Sequence, residues 1–106
     1  MIKAILIDPE TRTIREVLVD EKDFLDSCYK LIGCNLIEVA VDLDDDTIYV
    51  DEEGLCKQVK GLFEVVGAHQ PFAGRGLVVG YNASADKHVD TTLSVQDVVD
   101  IVRWVC

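Results

Sequence analysis

Residues 2–7 and 14–19 form two apolar runs separated by Asp8-Pro9-Glu10-Thr11-Arg12-Thr13. Pro9 presets φ for a turn and the Asp8 carboxylate can bond the backbone ahead of it, so the pattern predicts a β-hairpin. The first run is apolar at nearly every position instead of alternating, as expected of a strand that is covered on both faces or central in its sheet. Asp20 then stands at an N-cap position, with Glu21 and Asp23 favourably placed against a helix dipole. Phe24, Cys28, Leu31 and Ile32 recur at helical spacing, and Gly33 is suited to end that helix in a left-handed conformation. Residues 36–43 and 47–51 predict two more strands joined at Asp44-Asp45-Asp46, a second hairpin.

Beyond a Glu52-Glu53-Gly54 turn, residues 62–66 predict a short strand closed by Gly67, and residues 76–81 a buried one. Residues 68–75 have no periodicity and contain Pro71, which predicts a loop; residues 82–90 are polar, with a short strand expected near Val89. Ser94 caps a last helix, with Asp97 completing an acidic variant of the capping box. Val95, Val98, Val99, Ile101, Val102 and Val105 supply its apolar stripe. That stripe is β-branched, so burial and not intrinsic propensity must hold the helix. The order is ββαββ, one or two further strands, then α. Hairpins in place of crossover helices predict an α+β fold: one domain over residues 1–106, with a mainly antiparallel sheet of about five or six strands and two helices packed on one face.

Charge sharpens this picture at one place. The 106 residues carry 20 acids and 10 bases, a formal charge of −10. Seven of the acids, Asp42, Asp44, Asp45, Asp46, Asp51, Glu52 and Glu53, lie within twelve residues that contain no base. Without them the chain would carry only three excess negative charges. The balance argues against direct nucleic-acid binding, which needs clustered Lys and Arg. The 42–53 segment admits two roles, an acidic edge that keeps the sheet soluble and a mimic of nucleic acid that occupies a DNA- or RNA-binding protein. Asp42, Asp44, Asp46 and Glu53 match positions of a calcium-loop template. Thr47 stands where that template needs glycine, and a strand follows, so no metal site is expected. Cys28, Cys34, Cys56 and Cys106 show no paired spacing and read as reduced thiols. No apolar stretch approaches the ~20 residues of a membrane span, and the opening is too short for a signal peptide, which predicts a cytoplasmic protein.

The loop Ala68-His69-Gln70-Pro71-Phe72-Ala73-Gly74-Arg75-Gly76 has the richest chemistry. Phe72 can stack on a ligand, Gln70 can read a polar edge, Arg75 can pair with a phosphate or carboxylate, and Gly74 and Gly76 permit close backbone approach. His69 adds a titratable imidazole. The alternative is structural, with Pro71 and the glycines shaping a turn and Phe72 completing the core. The glycine spacing, GxGxxxG leading into a strand, fits neither a dinucleotide nor a Walker loop, so no cofactor is expected. Neither His69 nor His88 has a local Ser or Cys partner, and no catalytic residue is assigned.

The opening block through Ile14, the block Tyr49-Val50-Asp51-Glu52-Glu53-Gly54-Leu55, and the block Gln70-Pro71-Phe72-Ala73-Gly74-Arg75-Gly76-Leu77-Val78-Val79-Gly80 occur in an order and spacing that carry a resemblance. Together they resemble a family of small acidic proteins of unknown function carried by phages, prophages, mobile elements and their bacterial hosts. The resemblance implies an accessory role and transfers no catalytic residue. The expected function is therefore a non-enzymatic module that binds a host protein or a small anionic ligand through His69, Gln70, Phe72, Gly74, Arg75 and Gly76. The valine-rich strands also leave room for a homodimer.

Overall fold

Strand β1 (Ile2–Asp8) lies inside the sheet, which explains why its run is apolar at every position from 2 to 7 except Lys3. It pairs antiparallel with β2 (Thr13–Val19) on one side, in the expected hairpin, and with β7 (Gly76–Asn82) on the other. β7 also pairs with β4 (Asp46–Asp51), and β4 with the edge strand β3 (Ile37–Asp42). The short β8 (Lys87–Val89) closes the six-stranded sheet against the end of β7. The computed structural model describes residues 1–57 and 60–105.

Alternate residues of β1 feed two cores. Ile2, Ala4 and Leu6 join Val17, Val19, Leu77 and Val79 beneath α1 (Phe24–Ile32), which contributes Cys28 and Ile32. Ile5 and Ile7 join Ile48, Val50 and Val78 on the opposite face. There they meet a second, three-stranded sheet of β5 (Leu62–Val65), β6 (Phe72–Ala73) and β9 (Val102–Val105), with Val98 of α2 (Val95–Ile101). The α+β class, the antiparallel pairing and the two helices are as the pattern predicts. The helices cover opposite faces and not one, because β1 and β7 are apolar on both sides and each side must be buried.

Local signals act as expected at most helix ends. Asp20 accepts a hydrogen bond from Lys22 N at 3.0 Å and so caps a short 3-10 turn ahead of α1. Gly33 adopts φ +81° and donates to Tyr29 O at 2.8 Å. Ser94 and Asp97 form the reciprocal capping box. The last helix, however, stops at Ile101. Val102 to Val105 pair with Val65 to Leu62 as β9, so two of the six residues of the β-branched stripe, Val102 and Val105, are strand. These residues favour an extended backbone, and the open side of β5 satisfies it. The loop expected over 68–75 likewise holds β6, which pairs Phe72 with Phe63 and Ala73 with Leu62.

Candidate functional site

Where β1 ends, its turn meets four other segments around a cleft of about 320 Å³. Asp8 and Glu10 line one wall, and the C-terminal end of α1 contributes Ile32 and Gly33. Asp51 and Lys57 come from the end of β4 and beyond, Lys60 from the approach to β5, and Gly74 and Arg75 from the β6–β7 turn. Two glycines allow the walls to close. A Cβ on Gly61 would sit 2.8 Å from the Pro9 carbonyl carbon, and one on Gly54 would sit 2.7 Å from the Ala73 carbonyl oxygen. Gly74 N donates to Gly61 O at 3.0 Å and ties the β6–β7 turn to the same wall.

Arg75 is the organising side chain. Its Nε lies 3.3 Å from Asp8 Oδ2, and its Nη1 donates to Leu31 O at 3.1 Å. It thereby clamps the first turn onto the C-terminus of α1, where a cation is favoured. Asp8 spends its other oxygen on Glu10 N at 3.1 Å. A guanidinium has five N–H donors, so Arg75 keeps three for another acceptor. Lys57 Nζ pairs with Asp51 Oδ2 at 2.8 Å, and that hydrogen bond holds its ammonium pKa above the usual value. Lys60 and Glu10 face solvent, and among the described residues no side-chain partner engages either.

The sequence-predicted loop is divided by the fold. Gly74 and Arg75 line the cleft, whereas His69 is exposed and Gln70 borders a separate small depression beside Glu52 and Leu55. Phe72 corrects the expectation of a stacking aromatic. It is buried, with its ring centroid 5.6 Å from that of Phe63, because the core beneath β5 needs a large apolar group there. Gly76 is also interior: a Cβ would come 2.7 Å from Phe63 Cζ, so it admits the core phenyl ring and no ligand. Sequence reasoning missed Asp8, read only as a turn residue, and the lysines 57 and 60. The available signal was two lysines ahead of a glycine, outside any helix or strand pattern, in an acidic chain.

The acidic segment is not one patch. Asp46 is 1% exposed and belongs to the interior, which corrects its placement on the acidic surface. Its carboxylate accepts from Thr91 Oγ1 at 2.6 Å, from Thr92 N at 3.1 Å and from Thr92 Oγ1. Asp51 is committed to Lys57 and to Glu53 N. Asp42 accepts from Asp44 N at 3.0 Å, and Asp44 takes a positive φ of 67°, so these acids shape the hairpin turn. Asp42, Asp44 and Asp45 lie at one end of β4, and Glu52 and Glu53 at the other, a strand length of about 17 Å away. A bulge at Ala40 and the exposed Glu38 and Asp42 protect the outer edge of β3.

Histidine and cysteine chemistry lies elsewhere. The His88 ring stacks on Phe24 at a 3.9 Å centroid distance, and its Nε2 is 2.8 Å from Tyr49 Oη. Burial lowers the His88 pKa and raises that of the Tyr49 phenol. Burial, helped by Cys34, pushes the Cys28 thiol up to about 12, while Cys56 is exposed. Cys106 lies outside the described residues. Among the described residues no three His, Cys, Asp or Glu side chains group as a metal site, and no helix is long and apolar enough to cross a membrane.

The three segments that carry the sequence resemblance all reach the cleft, through Asp8 to Glu10, through Asp51 and Gly54, and through Ala73 to Arg75. The chain is similar to an uncharacterized protein, y4iR, of Sinorhizobium fredii (strain NBRC 101917 / NGR234), with 27% identity over 94 residues. The alignment covers 89% of this chain but only 58% of that relative, so the chain spans less than two thirds of the relative's length. No solved structure matches it. The model of a family described as a domain of unknown function, DUF3846, matches residues 2–103, and the chain belongs to that family.

Proposed function

We propose that the chain is a non-enzymatic binding module that holds a small anionic ligand in the cleft beside Arg75. One observation carries this reading: on a chain of net charge −10, three of the ten basic side chains, Lys57, Lys60 and Arg75, converge on one 320 Å³ cleft. That volume lies at the lower end of the range for small-molecule sites, about 300–1,000 Å³. Arg75 is already oriented by Asp8 and Leu31 O, so the entropic cost of aiming its free donors is largely met by the fold. Gly33 and Gly74 line the cleft where a Cβ would meet nothing within 4 Å, so their backbone is open to a bound group.

The resemblance to phage- and mobile-element-borne proteins supports an accessory role in the cytoplasm of a bacterial host, with the ligand or a host protein as partner. The alternative of a nucleic-acid mimic needs one continuous acidic face. It loses support from the interior position of Asp46 and from the separation of the remaining acids along β4.

Nuclear magnetic resonance titration of the ¹⁵N-labelled chain with inorganic phosphate and with citrate tests the reading. Shifts are expected at Gly33, Gly61, Gly74 and Arg75, and they should vanish in Lys60→Glu. Shifts scattered over the surface and unchanged in that variant would place anion binding outside the cleft.

A further inference from the structure

The charges around the cleft do not sum to those of a simple anion site. Asp8, Glu10 and Asp51 stand against Lys57, Lys60 and Arg75. Two of the three possible pairs are made within the fold, Arg75 with Asp8 and Lys57 with Asp51. The third is not made. Glu10 and Lys60 both border the cleft, both are exposed, and among the described residues neither has a side-chain partner. They belong to segments held in contact, since a Cβ on Gly61, next to Lys60, would lie 3.0 Å from Glu10 N. An anion alone would satisfy Lys60 and the spare Arg75 donors while leaving the Glu10 carboxylate repelling it across the same small space.

We propose that the ligand is zwitterionic, its carboxylate or phosphate taken by Lys60 and Arg75 and its ammonium or guanidinium group by Glu10. The inference rests on the anionic-ligand reading above and adds the second charge. The backbone favours the same partition. Arg75 already answers the Leu31 carbonyl at the end of α1, so the partial negative charge of that terminus is offset and Glu10 remains the unspent acceptor. A ligand bearing both charges leaves no unpaired group in the cleft, whereas a dianion or a dication leaves one.

Adipate, 6-aminohexanoate and 1,6-diaminohexane share one six-carbon skeleton and differ only in end charges, so they form a direct test on the full chain. In the same titration, 6-aminohexanoate is expected to bind about fivefold more tightly than adipate, the worth of one partly exposed charge pair. Glu10→Gln should abolish that advantage without weakening adipate, and Lys60→Gln should weaken both. Both side chains are exposed, so neither change should threaten the fold. Binding of phosphate or citrate in the cleft, with adipate equal to or tighter than 6-aminohexanoate, would overturn the zwitterion and leave the anion site standing. Silence of every anion-bearing probe would remove both.

Discussion

Replacing Asp46 by alanine tests whether the acidic hairpin is surface chemistry or core architecture. The carboxylate is 1% exposed and accepts hydrogen bonds from Thr91 Oγ1, Thr92 N and Thr92 Oγ1, which tie the start of β4 to the segment preceding α2. Hydrogen bonds to a charged acceptor contribute about 1.5–3 kcal/mol each when measured singly. The three share one carboxylate and Thr92 is solvent-accessible, so they do not add, and a loss of about 3 kcal/mol is expected. For a domain of this size that corresponds to a fall in Tm of about 12–20 °C. Thermal and urea unfolding followed by circular dichroism would read it, with the exposed Asp45→Ala as control, expected within about 0.5 kcal/mol of the parent. Equal melting of the two variants would refute the assignment of Asp46 as a buried latch.

Three further outcomes follow from the packing. Burial lowers the His88 pKa below its usual 6.5, so the unfolded chain takes up the proton first. The stabilisation is complete above about pH 6.5 and fades as pH falls below it, and His88→Gln should flatten that slope in unfolding curves between pH 5 and 8. Gly80→Ala would place a Cβ 2.2 Å from the Asp90 carbonyl oxygen, in a segment anchored by the bond from Lys3 N to Asp90 Oδ1 at 2.8 Å. A loss of about 1–3 kcal/mol in denaturant unfolding is expected, and parental stability would contradict the close approach. The Cys28 thiol, pushed up to about 12, should resist iodoacetamide at pH 8 while the exposed Cys56 is alkylated, as peptide mass mapping of the native chain would reveal.

Much of the fold is legible because its signals are local. Pro9 and Asp8 shape a turn between two apolar runs, Phe24, Cys28, Leu31 and Ile32 share a helix face, and Gly33 and Ser94 act on backbone within a few residues of themselves. The run of residues 2–7, apolar at all positions but Lys3, states that the strand is covered twice, as it is. Less of the candidate site is legible. Of the loop singled out for its composition, only Ala73, Gly74 and Arg75 reach the cleft, while Asp8, Lys57 and Lys60 come from segments whose local patterns mark a turn and connecting chain.

Alternation and capping chemistry along the chain thus suffice for the antiparallel α+β class, for both hairpins and for the C-terminal end of α1 at Gly33. They leave open which strand lies beside which. The order β2-β1-β7-β4-β3 requires β7 to insert between the two hairpins, and Val102 to Val105 become strand because β5 offers an unpaired edge. Such choices are made by burial on two faces and by hydrogen-bond partners distant in sequence, which no local period encodes. The same distant packing turns Asp46 inward toward Thr91 and Thr92 and brings Arg75 to Asp8, so the cleft exists only once the sheet has closed.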